Sequence, residues 1–145
     1  MKKLFIAALI ATSLISTSYA TDANKVGYTA KNTFNTHFAG VKEVAWTVNE
    51  AFTKATFQWA GVNTDAFFDA SGNLIGTSKP ATIEQLPLRI KRGLAKRLAG
   101  ATINEVIQFD SAYDTSYFIS AEGEDEKVIL KVADGMISTF KRTKK

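Results

Sequence analysis

Apolar residues recur at every fourth position in Val26, Ala30, Phe34 and Phe38, and again in Leu86, Ile90, Leu94 and Leu98. That spacing lines residues up along one side of an α-helix, so each row predicts an amphipathic helix with one buried stripe. Both rows end alike, in Phe38-Ala39-Gly40 and Leu98-Ala99-Gly100. A glycine just past the last apolar position is a stop signal, because it enters the left-handed region without steric cost. Pro87 stands near the first turn of the second helix, and Thr82 with Gln85 has the spacing of a capping box before it. After each glycine the period falls to two. Val44, Trp46 and Val48 alternate with smaller or polar residues, as do Ala55, Phe57 and Trp59 and then Ala66 and Phe68. Asp69-Ala70-Ser71-Gly72 reads as a turn into a short strand over 73–78. The second half runs in parallel: Ile107 and Phe109, then Tyr117, Ile119 and Ala121, then Val128, Leu130 and Val132. Asp134-Gly135 makes the last turn, before Met136 to Phe140.

The pattern predicts an α+β fold built as a tandem repeat, each copy a helix followed by four antiparallel strands. The copies cover about residues 24–78 and 82–141, joined by a linker over 79–85. One apolar stripe per helix and one apolar face per strand suit a continuous antiparallel sheet of about eight strands with both helices on one face.

Residues 1–20 have a different character. Lys2 and Lys3 precede an apolar run from Leu4 to Ile15, and Ser18-Tyr19-Ala20 offers small residues where a signal peptidase reads. We expect a signal peptide over 1–20, a single domain over 21–145, a periplasmic or secreted location and no stable membrane anchor after cleavage. The other reading of the run, a retained anchor, asks it to be longer than it is. The leader carries two of the 18 basic residues, half of the formal net charge of +4. Its removal weakens any nucleic-acid reading, and no nucleic acid is expected as a partner.

The chain has no Cys and one His. Disulfides, thiolate catalysis, a lipid-modified Cys and Cys-based metal sites are excluded, as are multi-histidine metal centres. His37 lies beside the first apolar row, with no nucleophile-elbow motif elsewhere to serve as its partner. Counted as a calcium loop from Asp69, the twelfth position falls on Pro80 where a Glu is needed, so a hairpin turn is the better reading. The segment Arg89-Ile-Lys91-Arg92-Gly-Leu-Ala-Lys96-Arg97 holds five cations and no acid. It would suit an anionic partner or simply a solvated helix face. Gly93 inside that helix is read as permitting close helix–sheet contact. The acidic run Glu122-Gly-Glu124-Asp125-Glu126 is read as a solvated turn that could also hold a cation or meet the basic helix of another copy. No enzyme activity, metal or cofactor is expected.

Four short motifs carry a resemblance: Val44-x-Trp46, Phe68-Asp69-x-x-Gly72, Leu86-Pro87 and Tyr117-x-Ile119. In order and spacing, over nearly all of residues 24–141, the chain resembles the periplasmic PepSY-like, β-lactamase-inhibitor-like (BLIP-like) family. The resemblance implies a tandem helix-plus-four-strand fold and a non-catalytic role in which a sheet face is laid on a partner.

Strand parity then points to a surface. Trp46, Phe57 and Trp59 share the inward parity and are expected in the core. Phe67, Phe118 and Ile129 have the opposite parity, among Lys54, Gln58 and Lys131. These six are the candidate partner-binding residues, three as anchors and three as a polar rim, for an unidentified envelope protein. The alternative is a small-molecule carrier or sensor with a pocket between helices and sheet, near Trp46, Trp59 and Tyr28.

Overall fold

The computed structural model describes residues 23–145, so the leader expected over residues 1–20 lies outside the described residues. Two helices, α1 (Tyr28–His37) and α2 (Leu88–Arg97), accompany eight strands. These are β1 (Val44–Val48), β2 (Thr53–Trp59), β3 (Val62–Phe68), β4 (Leu74–Pro80), β5 (Thr102–Ser111), β6 (Thr115–Glu122), β7 (Glu126–Ala133) and β8 (Met136–Lys144). They form one antiparallel sheet whose spatial order follows chain order, β1 to β8, which makes the fold α+β. Among the described residues no helix is long and apolar enough to cross a membrane. The chain divides into two compact units between Ser78 and Lys79.

In the first unit the row Val26, Ala30, Phe34 and Phe38 is buried against Trp46, Ala55, Phe57, Ala66 and Phe68. This core is largely aromatic. The Phe34 ring meets Phe57 at 4.9 Å and Trp46 at 5.3 Å, both edge-on, and Phe38 at 5.2 Å. Edge-to-face packing of this kind adds to the gain from burying the rings. In the second unit Leu86, Ile90, Leu94 and Leu98 are buried against Val106, Ile119, Ala121, Val128, Leu130 and Val132, an aliphatic core. The two helical segments show the same order of buried, half-buried and exposed positions over 26–40 and 86–100. Aromatic and aliphatic side chains thus satisfy one geometric pattern.

The helix ends follow from their residues. The Phe38 amide donates to the Phe34 carbonyl and the Leu98 amide to the Leu94 carbonyl, both at 2.8 Å. The chain then turns through Gly40 and Gly100, at φ +87° and +80°. Before α2, the 3-10 turn Ile83–Gln85 carries the expected capping box, in which the Thr82 amide donates to Gln85 Oε1 at 3.2 Å. Pro87 caps α2 at φ −56°, an angle its ring imposes. The expected linker is shorter than 79–85, because Lys79 and Pro80 complete β4.

Three details depart from the alternation read in the sequence. β3 begins at Val62, after a two-residue turn in which Ala60 and Gly61 both have positive φ and Trp59 pairs with Val62. That is the hairpin geometry matched to strand twist, and Ala at its first position hides it. Trp59 does not join the core: at the end of β2 it is 41 % exposed, its ring meeting that of Phe38 in a T-shaped contact at 5.4 Å. In β5 it is Val106 that joins the helix-side core, while Ile107 pairs with Phe118 on the other parity. Phe109 pairs with Ser116 on that same parity: alternation runs unbroken from Glu105 to Asp110, but in the phase opposite to the one expected, so that Ile107 and Phe109 both lie off the helix-side face.

Turn chemistry at Asp69 matches expectation. Its carboxylate accepts from the amides of Ser71 and Asn73, each at 2.9 Å, and from Asn73 Nδ2 at 3.2 Å. Partial burial pushes the Asp69 carboxyl upward, but the Asn73 and Ser71 donors outweigh it and hold the group below its ordinary value of 3.8. Gly72 is required twice over: φ is +84°, and a Cβ there would lie 2.6 Å from the Ala30 amide nitrogen in α1. Gly93 has the expected role too, since a Cβ on it would come within 2.7 Å of Ile137 Cδ1 in β8.

Gly40→Ala meets open space and should lose only the left-handed backbone cost, about 1–2 kcal/mol in urea unfolding. Gly72→Ala must also displace α1 backbone and should lose clearly more; equal losses would contradict the close approach. The stabilisation from ionised Asp69 is present above pH 3.8 and disappears as pH falls through the depressed folded value. The difference in melting temperature between wild type and Asp69→Ala should therefore be constant near neutrality and shrink in acid below pH 3.8.

Candidate functional site

On β2 and β3 the residues of opposite parity to the α1 core pair directly: Lys54 with Phe67, Thr56 with Asp65, and Gln58 with Asn63. Their side chains engage as well. Thr56 Oγ1 donates to Asp65 Oδ1 at 2.6 Å, Gln58 Nε2 donates to Asn63 Oδ1 at 2.8 Å, and Lys54 Nζ lies 3.9 Å from Asp65 Oδ2. The expected anchor here is not on a wet surface. Phe67 is 1 % exposed and Lys54 only 5 %. One cause is the β1–β2 turn, where Asn49 Oδ1 accepts from the amides of Ala51 and Phe52, both at 2.9 Å. That brings the Phe52 ring edge-on to Phe67 at 5.5 Å. The missed signal was Asn49, a residue that bonds its own following backbone and folds a turn back.

In the second unit the other anchor is buried too. Phe118 is 3 % exposed. The Phe140 ring packs edge-on against it at 5.3 Å, and Lys131 Nζ lies 5.9 Å from its centroid. Lys131 and Ile129 are half-buried. Phe140 reaches Phe118 because β8 carries an irregularity: Ile129 pairs with Lys141 and Leu130 with Thr139, so Phe140 is the extra residue between them. A bulge of this kind re-aims a side chain and leaves no mark in the alternation. Phe67, Phe118 and Lys54 are therefore interior residues. Of the six expected partner-binding residues, Gln58 alone is exposed.

Gln58 borders a different feature. β1 ends its pairing at Val44, opposite Phe57, while β2 continues through Gln58 and Trp59. Beside this overhang lies an open cleft of about 950 Å³. Trp59, Phe57 and Val44 give it an apolar wall, and Gln58, Asn63, Lys42 and Glu43 a polar one. The strand order leaves β1 at the edge of the sheet. The three rings expected to share one pocket do not share this one: Trp59 lines it, but Trp46 is buried in the core and Tyr28 is 84 % exposed on α1.

The remaining candidates sit apart from this cleft's lining. His37 is exposed at the end of α1, its ring 6.2 Å from that of Phe38. The acidic run is tied to basic residues of its own unit: Glu122 to Lys145 at 2.8 Å and to Lys127 at 3.6 Å, and Glu126 to Arg142 at 3.6 Å. The Lys145 ammonium holds the Glu122 carboxyl below the usual range. Among the described residues no group of three or more metal-ligating side chains converges.

No family model matches the chain, and no curated protein matches it, so the PepSY-like part of the resemblance gains no support. The fold has solved counterparts. A DUF2874 family protein of Bacteroides uniformis is similar with a TM-score of 0.70 at 13 % identity, over 82 % of this chain and 89 % of that one. A Bacteroides eggerthii protein provisionally assigned to the periplasm gives 0.68 at 13 % identity, over 82 % and 88 %. A protein of Bacteroides fragilis described as BLIP-like gives 0.65 at 16 % identity, over 81 % and 85 %. At these identities the likeness is one of fold, and it agrees with the architecture that the BLIP-like resemblance implied.

Proposed function

We propose that the chain is a non-catalytic binding module of the periplasm or of the secreted fraction, and that it holds an extended segment of a protein partner in the cleft beside β1. The observation that carries this reading is Trp59, a large ring 41 % exposed in a cleft where β2 outruns its neighbour. An overhanging strand offers backbone groups to an incoming segment, and alternate side chains of that segment select among side pockets. Trp is the residue type most often found to dominate binding energy when a partner covers it. Gln58, Asn63, Lys42 and Glu43 supply the polar border that fixes register. The leader-like residues 1–20 and the provisional periplasmic assignment of the B. eggerthii neighbour support the location. The BLIP-like description of the B. fragilis neighbour supports binding over catalysis. The reading moves the contact from the sheet face, where Phe67 and Phe118 are buried, to the sheet edge.

The test uses the chain from Thr21 onward, which contains every described residue, as bait in an envelope extract. A protein retained by the wild type should be lost or at least about tenfold depleted with Trp59→Ser, and retained with Tyr113→Ser, a change at an exposed loop residue. Circular dichroism should be the same for all three. Equal capture by wild type and Trp59→Ser would overturn the cleft as the contact site.

A further inference from the structure

The two helices present the same burial pattern in positions 60 residues apart, so each serves as the reference for the other. Exposed positions on α1 include Tyr28, Thr29, Asn32, Thr36 and His37; on α2 the corresponding ones are Leu88, Arg89, Arg92, Lys96 and Arg97, the last on the flank that lines a small cavity with Leu98 and Val128. All ten are exposed. Packing a helix on its sheet therefore does not call for cations at these places, because α1 packs equally well without them.

Local electrostatics do not call for all of them either. Lys96 and Arg97 in the last turn suit the negative end of the helix dipole. Arg89 lies in the first turn, where the dipole is positive, and α2 has no acidic residue there. Lys91 is neutralised by Glu84 at 3.3 Å. Arg89, Arg92, Lys96 and Arg97 form no ion pair among the described residues. Leu88 stands 60 % exposed at the head of the cationic stripe, with Ala95 and Ala99 exposed along it. Arg89, Arg92 and Lys96 thus gather positive charge along one exposed side of α2, with an apolar residue at its head.

We propose that the outward face of α2 binds the surface of an anionic lipid bilayer. An exposed row of cations complements the negative charge of a field of phosphate headgroups, and the exposed leucine at its head enters the boundary between headgroups and acyl chains. The helix keeps its other side on the core, since Leu86, Ile90, Leu94 and Leu98 stay buried. Contact is thus peripheral, electrostatic and reversible, and it weakens with salt.

The internal reference supplies the variant. Arg89→Thr, Arg92→Asn, Lys96→Thr and Arg97→His together give α2 the exposed residues of α1 at those positions. The chain from Thr21 onward is sedimented with vesicles of phosphatidylglycerol in phosphatidylcholine, and with vesicles of phosphatidylcholine alone, at low ionic strength. Wild type should bind the first and not the second, and the fourfold variant should bind on the order of 100-fold more weakly. Should that variant fail to fold, Arg89→Gln, Arg92→Gln and Lys96→Gln together keep helix-favouring side chains and should also lose most binding. Trp59→Ser should bind like wild type, which separates this inference from the cleft reading. Equal binding to both vesicle types would overturn it, as would unchanged binding of the charge variants. Binding to polyglutamate without binding to the anionic vesicles would also overturn it, in favour of an acidic protein.

Discussion

Each unit depends on one side of a short helix finding an apolar face on a sheet. Ten-residue helices of this kind are marginal in water on their own, and tertiary packing supplies most of their stability. In the first unit that packing converges on Phe34, whose ring lies within 6.5 Å of the rings of Phe38, Trp46, Phe57 and Phe68. In the second, Leu94 occupies the corresponding place in an aliphatic cluster. Close fitting extends to the glycines: Gly72 lets the β3–β4 hairpin touch α1, and Gly93 lets Ile137 touch α2.

This constraint explains what could be read in advance. Val26 to Phe38 and Leu86 to Leu98 were legible because helix spacing and burial are two views of one geometry. Gly40, Gly100, Pro87 and the Asp69 turn were legible because their chemistry is local. The inside–outside assignment on the strands was legible only where alternation ran unbroken, as at Ala55 and Phe57. It failed at Ile107 and Phe109, because the adjacent Val106 is apolar and buried as well and alternation there has no unique phase, and at the Ala60-Gly61 turn, where alanine takes a place that usually advertises itself. It could not show that Phe118 is covered, because Phe140 reaches it through an extra residue in β8. Nor could it show the Phe52 ring on Phe67, placed there by a turn closed on Asn49. Both of these rings come from residues distant in sequence, and parity alone carries no information about what lies above a face.

Function then follows from what packing leaves free. The side of the sheet first expected to be a wet docking face holds buried rings and a buried lysine. The accessible chemistry lies elsewhere, at the β1–β2 overhang with Trp59 and on the outer side of α2. The helix comparison is informative because buried positions answer to the same packing demand in both copies, while outward positions answer to solvent and partners. Tyr28 and Leu88 stay large and exposed in both, but only α2 gathers cations.

The central claim is that the apolar helix row, with Phe34 at its centre, holds the first unit together. Equilibrium urea unfolding of Phe34→Ala beside Tyr28→Ala, on the buried and exposed sides of the same helix, tests it most directly. The account predicts a loss of about 3–5 kcal/mol for Phe34→Ala and no more than about 0.5 kcal/mol for Tyr28→Ala. Similar small losses for both would contradict it.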